Sequence, residues 1–306
     1  MRVTGWLIAW VLVIGWPDSA AASLRERLRE RLSTGTAAEV AAPAETRSAA
    51  SGSRWVTLTQ GDAARRYLLH IPPLAARSAL PLVVVLHGYG SNPEQQEQLS
   101  GFSALADKTG FAVAYPLGEG LKPQWHFMGH DTKDERFIRA VVADVGAQLP
   151  IDQHRVYVTG MSNGAQMTAR LACVAPDLFA AFAPVSGNYM ECSDCKTGFT
   201  TPAMLFHGTN DRILPYSGRF KQFSPQHWAE QRAAQNGCAA KPVIIYRRAE
   251  VTAQAWRNCR NQAEVIFYTL AGKGHSWPGS NMPERITSQN LDATQAMWDF
   301  FSRYSR

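Results

Sequence analysis

The chain has 306 residues, of which 45% are hydrophobic, 18% charged and 10% aromatic, with a formal net charge of +6. That length and apolar content can fill the core of one large domain, and they exclude a disordered polyelectrolyte. The positive surplus favours acidic surfaces, but no basic run interleaved with aromatics follows a nucleic-acid backbone, so no nucleic-acid partner is expected.

The N-terminus reads as an export signal. Arg2 gives a basic start, Trp6 to Trp16 an apolar run, and Ser19-Ala20-Ala21-Ala22 a small-residue site with cleavage expected after Ala22. The apolar run is well short of the roughly 20 residues that a helix needs to span a bilayer. A signal peptide over residues 1–22 is therefore expected, with no stable membrane span after its removal and an extracellular or periplasmic destination. Five cysteines fit an oxidising compartment, with at least one bridge and one thiol left over.

Residues 23–53 have a different composition from the rest. Ser23 to Leu32 sets Leu24, Leu28 and Leu32 among four arginines, a narrow stripe that predicts a solvated helical stub. Thr34 to Ser53 is rich in Ala, Ser, Thr and Gly and reads as a linker. The catalytic domain is expected over 54–306.

From Arg54 onward, short strands alternate with helices. Trp55 to Leu58 and Tyr67 to Ile71 predict an antiparallel pair, and Pro81 to Leu86 a strand buried on both faces. Phe111 to Tyr115, Arg155 to Thr159, Ala203 to Phe206 and Val265 to Leu270 are further strand candidates. Phe137 to Leu149, Asn163 to Cys173 and Leu291 to Tyr304 carry helical patterns. This alternation predicts an α/β fold with a mostly parallel central sheet and helices on both faces. No internal repeat is found.

Gly160-Met161-Ser162-Asn163-Gly164 matches G-x-S-x-G, a weak signal alone. Its setting between the strand ending at Thr159 and a helix raises its value, because that is where a nucleophile elbow forms in an α/β-hydrolase. A serine hydroxyl needs a base, and this fold supplies partners in the order Ser, acid, His. His275, in Gly274-His275-Ser276-Trp277-Pro278-Gly279, follows the strand ending at Leu270. Asp211 follows the strand ending at Phe206 and is the expected acid. Asp292 falls after the histidine, and Asp177 follows a helix rather than a strand. His87-Gly88-Tyr89-Gly90 follows the buried strand, so the N–H groups of Tyr89 and Asn163 are the expected oxyanion donors. A phosphate cradle would need a Walker lysine or a Rossmann glycine pattern, and neither is present. Trp125 and Trp277 are the candidate substrate-binding aromatics.

His126 and His130 have i, i+4 spacing, but the intervening Gly129 and the missing third ligand predict a loop rather than a zinc site. Cys192 and Cys195 lack a surrounding thioredoxin-like unit. Neither a cofactor nor a metal is expected.

These residues resemble the secreted polyhydroxybutyrate-depolymerase-like esterases, relatives of feruloyl and acetylxylan esterases. The resemblance spans roughly Arg54 to Arg306. It rests on Arg66-Tyr67-Leu68-Leu69 with Ile71-Pro72, Leu86 to Gly90, Phe137-Ile138-Arg139, Val156 to Gly164, Ala183-Pro184-Val185-Ser186-Gly187 and Gly274 to Gly279. It implies the same triad of Ser162, Asp211 and His275, acting through an acyl-enzyme on esters such as hydroxyalkanoate oligomers or acylated plant polysaccharide. It differs at Ala165, where relatives carry a further glycine, and before Phe137, where an acidic pair is reduced to Asp134. Relatives often have a cysteine pair flanking the apolar run Val243 to Tyr246, which implies a bridge between Cys238 and Cys259. Cys173 is left either free or paired with Cys192 or Cys195. A peptidase of this fold would need an added domain or long lid, and an idle binding module would be expected to lack a triad member. An esterase is the expected function; its oligomeric state is left open.

Overall fold

A computed structural model describes residues 52–60, 63–73, 79–130, 132–190, 193–219 and 222–306. The expected signal peptide, the helical stub, nearly all of the linker and Cys192 lie outside these residues. Among the described residues, no helix is long and apolar enough to cross a membrane.

At the centre of the sheet, six strands run parallel: β3 (Leu80–Leu86), β4 (Ala112–Pro116), β5 (Ile151–Met161), β6 (Ala181–Val185), β7 (Ala203–Gly208) and β10 (Val265–Leu270). The hairpin β1 (Ser53–Gln60) and β2 (Ala63–His70) pairs antiparallel with β4, and β9 (Val251–Trp256) and β8 (Val243–Arg248) continue antiparallel beyond β10. The order across the sheet is β1-β2-β4-β3-β5-β6-β7-β10-β9-β8. The expected α/β fold with a mostly parallel sheet is the one observed.

Alternation along the strands builds two cores. On β3, Leu82, Val84 and Leu86 face one core and Val83 and Val85 the other. α3 (Lys133–Gln148), α4 (Asn163–Val174) and α5 (Pro225–Gln235) cover the first through residues such as Ile138, Leu171 and Trp228. α2 (Phe102–Thr109) and α6 (Ala293–Phe301) cover the second through Phe102, Met297 and Phe301. α1 (Pro93–Ser100) leads into α2 through Gly101, whose φ of 68° ends one helix and opens the next. Truncating a fully buried leucine such as Leu82 to alanine should cost about 2–5 kcal/mol.

β6 is missing from the sequence expectations because alanines and a proline fill Ala181-Phe182-Ala183-Pro184-Val185, against the β-branched bias of strands. Its neighbours on both sides override that local preference. β9 alternates buried and half-buried residues in a short run, too weak a pattern to stand out.

The topology singles out one crevice. From β3 the chain passes through α1 and α2 to β4, while from β5 it proceeds in the opposite direction to β6, β7 and β10. β3 and β5 are adjacent, so their C-terminal ends flank a switch point, where ligands bind in open α/β sheets.

Candidate active site

Ser162 occupies the turn between β5 and α4 with φ 58° and ψ −118°. A non-glycine residue in such a conformation costs on the order of 1–3 kcal/mol and persists only where its surroundings enforce it. Here the N–H of Ser162 donates to Val185 O at 3.0 Å and its carbonyl accepts from Gln166 N–H at 3.0 Å. The flanking glycines allow the close approach. A Cβ on Gly160 would fall 2.7 Å from Gly164 O, and one on Gly164 only 2.3 Å from Leu86 O. Ala165 is fully buried, and a Cβ on Gly187 would stand 2.9 Å from its methyl group.

The loop after β3 is held from several sides. Gly118 N–H donates to His87 Nε2 at 2.9 Å, which leaves the ring proton on Nδ1 to be donated to Gly88 O at 2.7 Å. Burial pushes the His87 pKa down, in keeping with this neutral form. Gly90 N–H donates to Pro123 O at 2.8 Å. The N–H of Tyr89 has no backbone acceptor among the described residues. Asn163, at the first position of α4, has no intrahelical acceptor for its own N–H.

The acid and the histidine lie on adjacent loops. Asp211 Oδ2 and His275 Nδ1 are 2.8 Å apart, and the carboxylate is fully buried. Asp211 Oδ1 accepts from the N–H groups of Ile213 and Leu214, each at 2.9 Å. Burial pushes this carboxyl up, but the hydrogen bond and charge of His275, the Leu214 N–H and His207 outweigh it and hold the pKa below the ordinary value. His207 donates from Nε2 to Leu214 O at 2.8 Å, and burial lowers its pKa. The two loops are zipped by Thr209 N–H to Leu270 O at 3.0 Å and Asn210 N–H to Lys273 O at 2.9 Å.

Ser186 was quoted only as part of a motif, yet it ties the elements together. Its φ is 52°, its N–H donates to Phe206 O at 2.9 Å, and its hydroxyl donates to Ser276 O at 3.0 Å. The residue before it accepts from Ser162. One turn after β6 thus touches the serine elbow and the histidine loop, and no spacing rule marks it. The Asn163 side chain was also missed: its Oδ1 accepts from Trp125 N–H at 2.6 Å and its Nδ2 donates to Trp125 O at 3.1 Å.

Trp125 and Trp277, the candidate substrate-binding aromatics, are both buried. Only 2% of Trp125 and 1% of Trp277 is exposed. Trp125 donates from Nε1 to His87 O at 2.9 Å and packs against the His87 ring, while Trp277 donates to Thr294 Oγ1 at 3.0 Å and meets Phe102 edge-on. Both rings are thus fixed by a hydrogen bond and by packing against a neighbouring ring. His126 and His130 lie in a loop and face different carboxylates, Asp134 at 2.9 Å and Asp194 at 3.2 Å. Asp134, fully buried, also pairs with Arg65 at 2.8 Å and so anchors that loop to β2. Among the described residues, no group of three or more His, Cys, Asp or Glu side chains is arranged to hold a metal. Cys173 is joined to Cys195 and Cys238 to Cys259, and two bridges suit an oxidising compartment.

The model of the family described as "Esterase PHB depolymerase" matches residues 65–196. A "Probable feruloyl esterase C" of Aspergillus flavus is 30% identical over 249 residues, covering 78% of this chain and 83% of that protein. The "Poly(3-hydroxyalkanoate) depolymerase C" of Paucimonas lemoignei is 29% identical over 250 residues, covering 68% of this chain but only 58% of its own length. In fold, the chain is similar to an acetyl xylan esterase from Aspergillus awamori, with a TM-score of 0.59 at 19% identity, over 81% of this chain and 98% of that one. With a strained serine at the switch point of the sheet and relatives of this kind, the chain belongs to the PHB-depolymerase esterase family and is a serine-type carboxylic ester hydrolase of the α/β-hydrolase fold.

Proposed function

We propose that this protein is an exported esterase in which Ser162 is the nucleophile, His275 the general base and Asp211 the residue that orients the imidazole. The observation that carries the reading is the hydrogen-bonded His275–Asp211 pair on loops tied, through Ser186, to the turn that strains Ser162. His275 takes the Ser162 proton as the hydroxyl attacks the ester carbonyl, and returns it to the departing alcohol. Water then attacks the acyl-enzyme with His275 again as base. The N–H groups of Tyr89 and Asn163 stabilise the oxyanion, each such donor being worth about 3–4 kcal/mol of barrier. Residues 1–22 act as a signal peptide and 23–53 as a linker to the catalytic unit of 54–306. The favoured substrates are hydroxyalkanoate oligomers, which the family's description and the Paucimonas relative support.

Two measurements test this. Ser162→Ala should abolish turnover of a short p-nitrophenyl ester while the far-UV circular dichroism stays native; retention of more than about a tenth of the wild-type rate would sink the nucleophile. A screen of hydroxybutyrate oligomers, methyl ferulate and acetylated xylan should rank the oligomers first. Preference for either of the other two would move the enzyme among the feruloyl or acetylxylan esterases.

A further inference from the structure

Beside the candidate active site lies a second feature that the acyl-transfer chemistry does not use. A cavity of about 240 Å³ runs along one face of α4, lined by Gln166, Ala169, Arg170 and Cys173 at helical spacing, and across from them by Asn188 and Arg232. Gln166 is one turn past Ser162, and Cys173 about 10 Å farther along at 1.5 Å per residue. At the near end, Asn188 comes two residues after Ser186, so the cavity begins next to the turn that joins the elbow to the histidine loop.

The polar groups in this cavity are arranged unlike those of the active site. Arg232 is 8% exposed and Asn188 is fully buried. Arg232 donates from Nη1 to Thr201 Oγ1 at 2.9 Å and lies over the Trp228 ring at 5.0 Å, but no protein group meets its Nε and no carboxylate pairs with it among the described residues. Both amide atoms of Asn188 lack a protein partner as well. Arg170 and Asp194 in the same cavity offset one another, because Asp194 accepts from both terminal nitrogens, Nη1 and Nη2, of the Arg170 guanidinium. What is left over is the Arg232 guanidinium, buried and without a carboxylate partner among the described residues. Burying an unpaired charge is costly, and an anion arriving with the ligand removes that cost.

We infer that this cavity is a carboxylate subsite, in which Arg232 and Asn188 hold the free acid end of an oligoester substrate whose scissile bond lies over Ser162. The inference rests on the esterase reading above and names its substrate class more closely. In a hydroxyalkanoate oligomer, the free carboxylate terminates the segment that leaves as the alcohol, so the cavity receives the leaving group. Burial pushes the Arg232 pKa down to about 10, which keeps the group cationic at neutral pH. An acyl group on neutral polysaccharide brings no such anion, so the subsite selects for chains that end in a carboxylate.

The test compares the 3-hydroxybutyrate trimer as free acid with its methyl ester. The wild-type full chain should show kcat/KM at least ten-fold higher for the acid, with the difference carried by KM. Arg232→Gln should bring the ratio of the two substrates close to one, and Arg232→Lys should keep part of it. Because the ratio is read within each variant, a general loss of activity cancels. Asn188→Ala should lower the same ratio and serves if Arg232→Gln fails to fold. Equal hydrolysis of acid and methyl ester by the wild type, or a ratio that survives in Arg232→Gln, would overturn the subsite. Calorimetric binding to Ser162→Ala separates this failure from failure of the esterase reading. The subsite requires the acid to bind at least ten-fold more tightly than the methyl ester even if the wild type hydrolyses neither, and equal binding refutes it.

Discussion

All seven residues of β3 and all six of β7 are buried, whereas no residue of β8 is. The centre of the sheet is held by two cores and ends in loops that are hydrogen-bonded to one another; the β9–β8 margin leaves Val243 and Ile244 about half exposed. Each proposed catalytic group follows a central strand: Tyr89 after β3, Ser162 after β5, Asp211 after β7 and His275 after β10. The margin carries none. Instead it is closed at its base by the bridge between Cys238 and Cys259, beside which Ala239 N–H donates to Arg257 O at 2.8 Å. Where burial is dense, packing can hold a strained serine in place. At the thin margin, the Cys238–Cys259 bridge adds a covalent tie.

If that contrast is right, perturbing the central loops should remove activity, and perturbing the margin should change only stability. Among variants that keep the Ser162 nucleophile, the largest effect is expected from Asp211→Asn, which leaves the loop geometry but takes away the partner of the imidazolium, lowering kcat by about 10⁴-fold. The same variant should alter the pH dependence of stability. The Asp211 pKa is depressed in the folded protein, so its contribution is present above the ordinary carboxylate value and is lost as pH falls through the lower folded value. Thermal melts from neutral pH downward should show a smaller loss of Tm in Asp211→Asn than in the wild type. Wild-type turnover of Asp211→Asn alongside collapse of another carboxylate variant would mean that the acid lies elsewhere.

Gly164→Ala comes next. Its new methyl carbon would meet the backbone oxygen of Leu86, so the elbow must shift, and a displacement of about 1 Å costs roughly 100-fold in rate. Measured kcat/KM near wild type would show that the elbow tolerates movement.

At the margin, replacing Cys238 and Cys259 together by serine should cost about 3 kcal/mol of unfolding free energy for a loop of 21 residues. Activity below the new melting transition should be retained, as read by paired denaturant and kinetic titrations. Smallest of all, Val243→Thr and Ile244→Thr should each change stability by less than about 0.5 kcal/mol. A loss of several kcal/mol at either position would mean that this strand is covered in solution.

The same contrast explains what could be read from the sequence. The central strand β3 stood out as a continuous apolar run and β10 as a further strand candidate, and the proposed order Ser162, Asp211, His275 was drawn from strand ends. β6 did not, because its alanines and proline carry no strand signal and only its neighbours make it one. Ser186 was hidden for a related reason: its contact across the fold to Ser276 leaves no local pattern, and neither does the placement of Asn188 in the lining of the cavity along α4. The burial of Trp125 and Trp277 was likewise not legible, because it comes from contacts with His87 and Phe102 that are distant in sequence.

The central claim is that Ser162 is the activated serine, and covalent labelling tests it most directly. The native enzyme, treated with a fluorophosphonate until ester hydrolysis stops, should be digested and its adduct located by mass spectrometry. The account predicts a single adduct on Ser162, formed in step with the loss of activity and greatly slowed in Asp211→Asn. An adduct on another serine such as Ser186 or Ser276, or inactivation that leaves Ser162 unmodified, would contradict it.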